Sequence, residues 1–116
     1  MNDEEFIKDI YQLIVRDNLE IYRNIFTKTD ITTITDPYWK RAMQLFEELP
    51  EENKEILLNI IEQVQVDTTS TLLGILDGVI SLRDLEIELK LTTKGQEAVL
   101  NGDLQDKFLE FDEENR

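Results

Sequence analysis

The chain has no cysteine and no histidine, and glycine makes up only four of its 116 residues. Without histidine and cysteine, the Ser-His and Cys-His pairs of nucleophilic catalysis cannot form, and the usual zinc ligands are missing. The few glycines form neither a dinucleotide-binding fingerprint nor a phosphate-binding Walker loop. The sequence therefore predicts a protein that is not an enzyme and that needs no metal or cofactor.

Positive charge is also scarce, because 26 acidic residues stand against 12 basic ones and give a formal net charge of −14. Nucleic acids and anionic membranes are bound largely through Lys and Arg, so we expect no direct binding to either. An excess of carboxylates favours a basic protein as partner, although negative charge also serves solubility alone. The charge divides almost evenly along the chain, with −6 over residues 1–58 and −8 over residues 59–116.

Long apolar runs are absent too, since none approaches the ~20 residues that span a bilayer. The first five residues are acidic where a signal peptide is basic. The lack of cysteine fits a reducing compartment. We therefore expect a cytoplasmic protein, with a single domain over residues 1–111 and a frayed acidic tail over residues 112–116.

Apolar residues at three- and four-residue steps predict helices along most of the chain. The first helix covers about residues 3–27, with a kink or a second start near Asp17. The pair Asp36-Pro37 is typical of a helix start, because Asp caps the first turn and Pro suits the first helical position. A later apolar stripe stays in phase across Asp67 and fits either one long bent helix or two helices.

Residues 85–91 alternate strictly between apolar and charged side chains, which predicts a half-buried strand. Its partner is either the stretch 31–34, the option that we favour, or the same strand of a second copy in a two-fold homodimer. The predicted fold is mostly α with a minor β part (α+β minor): a compact domain of four or five helices and one short β element around residues 85–91. The predicted core contains Phe6, Ile10, Leu13, Ile14, Trp39, Phe46, Leu57, Ile61, Leu72, Leu76, Ile87, Leu89, Leu104 and Phe108.

Three acidic residues, Asp84, Glu86 and Glu88, share one face of the predicted strand, with neighbours about 7 Å apart. This spacing is too wide for one metal ion to bind all three. It is about twice the ~3.4 Å rise per phosphate along a DNA strand, so the row loosely imitates nucleic acid. A charged outer face in contact with water explains the same three residues.

Three further residues are candidates for partner binding. Tyr38 and Trp39 stand side by side at the start of a predicted helix, and such aromatics are enriched at the centres of interfaces. The alternative is a Trp that covers one end of the core. Asp77 is expected to be partly buried near a helix end, either as a functional acid or as a structural one paired with Arg83.

Two functions from different classes fit these observations. In the first, the protein is a small non-enzymatic module that neutralises a basic partner, in the manner of bacterial immunity proteins or of inhibitors that mimic nucleic acid. In the second, it is a self-associating structural or regulatory domain whose acidity serves solubility only. Clustering of the acidic residues in the fold would favour the first function, and an even spread would favour the second.

Overall fold

A computed structural model describes residues 1–83 and 86–116. In chain order the elements are α1 (Asp3–Ile10), a π-helical segment (Tyr11–Asp17), α2 (Asn18–Lys28), a short 3-10 turn (Ile31–Thr33), α3 (Pro37–Glu48), α4 (Glu51–Leu76) and α5 (Leu104–Asn115). The predicted mostly helical class is confirmed. Within the described ranges, none of the helices combines the length and the apolar character that crossing a membrane requires.

The first three helical segments follow one another without a break and form a single N-terminal rod. The π-helical segment ends at Asp17, where the apolar pattern predicts an interruption. Ile7, Tyr11 and Val15 are all buried at steps of four residues. In a regular α-helix, at 100° per residue, a step of four residues turns about 40° beyond one full turn, so side chains at such steps move gradually around the helix. The wider turn of the π-helix compensates for this rotation. The π segment therefore keeps these side chains on one face.

Local sequence explains where α3 and α4 begin. The Asp36 carboxylate accepts a hydrogen bond from the Tyr38 backbone N–H at 2.9 Å, and Pro37 occupies the first turn of α3, as predicted. Pro50 directly precedes α4. This helix then continues through Asp67 for 26 residues, about 39 Å at 1.5 Å per residue, so the long-helix alternative is the correct one.

The predicted apolar stripe of α4 is partly exposed, because Leu57, Ile61 and Ile75 are half-buried and the rest of it in α4 faces solvent. Val64 and Leu72 belong to that stripe and are 57% and 55% exposed. The buried face instead consists of Leu58, Val66, Thr69, Ser70, Leu73 and Gly74. Both faces of α4 are rich in apolar residues, so periodicity alone does not show which one is inside.

The β content is smaller than predicted and is displaced along the chain. Residues 86–91 are irregular, and an antiparallel bridge joins Thr92 to Val99. Backbone groups of the predicted strand bind the Asn101 side chain, which accepts from Leu91 N and donates to Leu89 O, both at 2.7 Å. The favoured pairing with residues 31–34 is wrong, because Asp30 caps a 3-10 turn over residues 31–33.

The main core lies where α1, the π segment, α4 and α5 meet, and it consists of Ile7, Tyr11, Val15, Val66, Leu73, Leu104 and Phe108. Of the predicted core, Phe46, Leu104 and Phe108 are buried, and Phe6, Ile10, Ile14, Trp39, Leu57, Ile61 and Leu76 are half-buried. Leu13, Leu72, Ile87 and Leu89 are exposed, so their placement in the core is wrong. The last two side chains lie in the irregular segment, which has no ladder to hold them against a helix.

A smaller aromatic cluster joins α2 to α3. Phe26 stacks on Phe46 with ring centroids 4.7 Å apart, and Tyr22 lies 6.4 Å from Trp39. The molecule is elongated, with dimensions of 52 × 32 × 26 Å. The main core and the aromatic cluster are therefore distributed along the molecule.

Candidate functional site

Helices α1 and α5 lie side by side and run in the same direction. Lys107 at the start of α5 forms an ion pair with Asp3 at the start of α1. Further along both helices, the Tyr11 hydroxyl donates a hydrogen bond to the Asp112 carboxylate at 2.9 Å. Two segments about 100 residues apart in sequence thus form one surface.

This surface concentrates negative charge, and we call it the acidic face. Four carboxylates and one lysine lie on α1, and five carboxylates and one lysine lie on α5. Asp112 of α5 is buried, so eight of these nine carboxylates are accessible. The two helices therefore carry a net −7, half of the charge of the chain, on 20 of its 116 residues. Carboxylates in the first turn of α1 are favoured by the helix dipole, and the Asn2 side chain caps the same turn.

A hollow of about 410 Å³ runs between the two helices. The exposed carboxylates of Glu4, Glu110 and Glu114 line it together with Lys8 and Lys107, and Ile7 and Phe111 supply apolar surface. The lining therefore carries a net charge of −1, three carboxylates against two lysines.

Ion pairing holds the rim of the acidic face in its charged form. The hydrogen bond from Lys107 lowers the pKa of Asp3 below its usual 3.8. The same bond raises the pKa of Lys107 above its usual 10.5. Both groups are therefore charged across the physiological pH range, and together they add no net charge to the face.

A buried polar network fixes α5 against the rest of the molecule. Asp112 is only 3% exposed, and its second oxygen accepts from Arg116 Nε at 2.8 Å. Burial, and then the hydrogen bond to Asp112, raises the pKa of Tyr11 to about 12. Arg16 lies over the Tyr11 ring and also pairs with Glu62 of α4 at 3.3 Å. The acidic face is thus a rigid surface rather than a mobile tail.

The predicted tail differs in the structure for the same reason. Helix α5 continues through residues 112–116 as far as Asn115, and Asp112 belongs to the buried network. The aromatic Phe111 also lies 5.0 Å from the Tyr11 ring, edge to face. A dense acidic sequence is typical of a frayed end, but here Phe108, Phe111 and Asp112 contact Tyr11 of the π segment.

The predicted acidic row is not part of this face. Asp84 lies outside the described residues. Glu86 and Glu88 are exposed on the irregular segment, and the Glu88 carboxylate is 3.9 Å from Lys90 Nζ. Without a strand over residues 86–91, the regular spacing that resembles phosphates along DNA is not formed there.

The other predicted residues lie at two separate places. Tyr38 is 65% exposed, whereas Trp39 is half-buried against Tyr22. The Asp77 carboxylate accepts from the backbone N–H groups of Gly102 at 2.6 Å and Gln105 at 2.8 Å. Asp77 therefore joins the end of α4 to the start of α5, and partner binding by it stays a prediction.

Sequence reasoning missed the acidic face because its halves are separated along the chain. Counting charge by halves of the sequence places α1 and α5 in different halves and gives an even spread. The available signal is the density of carboxylates at both ends of the chain, four in residues 3–9 and six in residues 103–114. These two groups of carboxylates form one surface only because α1 packs on α5.

Comparisons with protein-family models, with curated proteins and with solved structures give no significant match. Among residues 1–83 and 86–116, no group of three or more carboxylates converges in a way that suits a metal ion. The charge and geometry of the chain itself are therefore the basis on which we infer its function.

Proposed function

We propose that the protein is a non-enzymatic binding module that neutralises a basic protein through the acidic face of α1 and α5. The observation that carries this proposal is the net −7 on these two adjacent helices. Such a concentration of one sign of charge attracts a cationic surface over a distance of about one Debye length, ~10 Å at 0.1 M salt. Attraction of this kind speeds the capture of the partner.

The lining of the hollow supports the same function. Glu4 comes from α1, and Glu110 and Glu114 come from α5, so both helices contribute carboxylates, against the two lysines Lys8 and Lys107. The stems of Lys and Arg side chains of a partner can lie on the apolar surface of Phe111. Toxins that cleave nucleic acid and proteins that bind it are basic, which makes them the class of partner that this surface suits.

The test is a pull-down from the lysate of the source organism with the tagged full chain, at about 0.05 M and about 0.5 M salt. The variant E4K/E110K/E114K reverses three exposed charges on the acidic face. Its matched control, E47K/E48K/E52K, reverses three exposed glutamates at the α3–α4 turn and changes the net charge equally. Both variants alter surface residues, and circular dichroism verifies that each one folds.

We expect the wild type and the control to retain one basic protein in stoichiometric amount at low salt, and to lose most of it at high salt. The acidic-face variant should retain at least about tenfold less, which corresponds to about 1.4 kcal/mol. Equal loss in both variants would mean that only bulk charge matters and would contradict the proposal. Retention of no basic protein by the wild type would also contradict it.

A further inference from the structure

The Asn101 side chain ties the irregular segment 86–91 to the end of α4. Its Oδ1 atom accepts from Leu91 N at 2.7 Å, and its Nδ2 group donates to Leu76 O at 2.5 Å and to Leu89 O at 2.7 Å. Leu76 is the last residue of α4. One half-buried amide therefore connects the helix to a segment that has no strand or helix of its own.

The residue after Asn101 is glycine, and the backbone requires glycine there. Gly102 has a φ of +140°, a conformation that residues with a side chain rarely adopt. Its N–H donates to the Asp77 carboxylate at 2.6 Å. Asn101-Gly102 is also the only Asn-Gly pair in the sequence. The fold therefore places a chemically labile pair at the point that holds segment 86–91.

An Asn-Gly pair is labile because glycine has no side chain to hinder attack by its own backbone nitrogen. In this reaction the Gly102 nitrogen forms a bond to Asn101 Cγ, and the Cγ–Nδ2 bond breaks. The amide nitrogen leaves as ammonia and takes the proton that Gly102 loses. One water molecule then opens the five-membered succinimide at either carbonyl, which leaves aspartate or isoaspartate at position 101.

The folded structure opposes each part of this reaction. The Gly102 nitrogen must lose its proton, but the Asp77 carboxylate accepts that N–H and disfavours negative charge on the nitrogen. The leaving nitrogen must gain a proton, but Nδ2 faces two carbonyl oxygens, which have none to donate. Cγ also cannot move to bonding distance of the Gly102 nitrogen without disturbing the three hydrogen bonds of the amide.

We propose that Asn101-Gly102 is a deamidation site that the fold suppresses, and that its deamidation releases segment 86–91 from the end of α4. Aspartate at position 101 places an oxygen where Nδ2 now donates, opposite the Leu76 and Leu89 carbonyl oxygens. Acceptors cannot bond to one another, so both contacts are lost. Isoaspartate has the same effect and also lengthens the main chain by one methylene. The change does not reverse, so it accumulates with the age of the protein.

The first test measures the rate of ammonia loss at residue 101 in the purified full chain at neutral pH. Mass spectrometry of the intact protein detects the exchange of nitrogen for oxygen, and fragmentation locates it. The reference is the same chain unfolded in guanidinium chloride. The folded wild type should react at least about tenfold more slowly than this reference, because reaction needs local opening. Equal rates in the two states would overturn the proposal.

The variant D77A tests whether Asp77 provides part of the protection. It removes the carboxylate from Gly102, and circular dichroism verifies that it folds. It should deamidate at least about tenfold faster than the folded wild type. The control D67A removes an exposed carboxylate of the same helix, one that binds only Gln63 here, and should keep the wild-type rate. Equal rates in D77A and D67A would overturn the role of Asp77.

Tyr11→Phe separates local opening from unfolding of the whole chain. It removes the bond from Tyr11 to Asp112 in the core and leaves the contacts of Asn101 and Asp77 intact. Deamidation at residue 101 should therefore stay within about twofold of the wild-type rate. Acceleration equal to that of D77A would show that the reaction proceeds through global unfolding, and would overturn local protection.

The second test uses N101D, which reproduces the aspartate product. Hydrogen exchange of the Leu91 N–H, measured by NMR, should be at least about tenfold faster in N101D than in the wild type, because segment 86–91 is no longer held. The control N59D makes the same chemical change at an exposed position of α4 and should leave this exchange unaltered. Equal exchange in N101D and N59D would overturn the proposed release.

Discussion

Tyr11 and Asp112 form the polar centre of the core. Their side chains are 2% and 3% exposed, and the hydroxyl-to-carboxylate distance is 2.9 Å. A buried carboxylate is costly to fold unless its oxygens are bonded. Here Tyr11 satisfies one oxygen and Arg116 the other, so the pair holds α5 in place without leaving an unpaired buried charge.

The Tyr11 pair gives a pH-dependent stability. The Tyr11 pKa is raised from 10.0 to about 12 in the folded protein. The contribution of neutral Tyr11 to the free energy of unfolding is therefore complete below pH 10.0 and is lost as the pH rises towards 12. The free energy of unfolding should fall by up to about 2 kcal/mol over that interval, measured by urea denaturation. Tyr11→Phe should be about 1–3 kcal/mol less stable at neutral pH and should show a smaller alkaline loss. An identical alkaline loss in Tyr11→Phe would contradict this account.

The elements differ in how far the sequence alone predicts them. The start of α3 follows from Asp36-Pro37, and the change from π-helix to α-helix after Asp17 coincides with the broken apolar pattern before Asn18. Such signals are local, so they persist in the fold. The buried side of α4 depends on which helices cover it, and no local pattern contains that information.

The same distinction explains the strand and the acidic face. Alternation over residues 85–91 is a strong local signal, but a strand also needs a partner, and Asn101 takes up the backbone groups of Leu89 and Leu91 instead. The acidic face needs α1 and α5 to meet across the length of the chain. Both outcomes are set by tertiary contacts between distant segments.

Gly78 ends α4 in a way that a side chain would disturb. Its φ is +79°, and Val79 N donates to Gly74 O at 2.9 Å in the hydrogen-bonding pattern of a Schellman motif. No neighbouring atom lies within 4 Å of a Cβ at this position, so Gly78→Ala adds backbone strain alone.

We expect Gly78→Ala to lower the free energy of unfolding by about 1–2 kcal/mol. Val79→Ala, at a 67% exposed neighbour, should change it by less than about 0.5 kcal/mol. If thermal unfolding showed that the wild type and Gly78→Ala are equally stable, the positive φ of residue 78 would not require glycine, and this account would be wrong.

At the scale of the whole molecule, the net charge is distributed unevenly. Helices α1 and α5 together carry half of it, whereas residues 56–76 of α4 hold only two ionisable side chains, Glu62 and Asp67. The negative potential is therefore concentrated in one part of the molecule.

Self-repulsion should limit the stability of a chain with this charge. We expect the melting temperature, at one fixed protein concentration, to rise when salt is increased from about 0.05 M to about 0.5 M, because screening weakens repulsion among the carboxylates. The variant E4K/E110K/E114K should melt higher at low salt and should respond less to added salt. A melting temperature that falls with salt would show instead that ion pairs such as Arg23–Glu55 dominate.

The pairing of α1 with α5 also has a consequence for synthesis of the chain. Tyr11 meets Asp112 across 101 residues, so α5 is absent while most of the polypeptide is still being translated. At about 5–20 residues per second that interval lasts about 5–20 seconds. Until α5 emerges, the π segment can pack only against α4. We expect the carboxylates beside the uncovered face, Asp3 to Glu5 and Asp9, to keep neighbouring nascent chains apart during that interval.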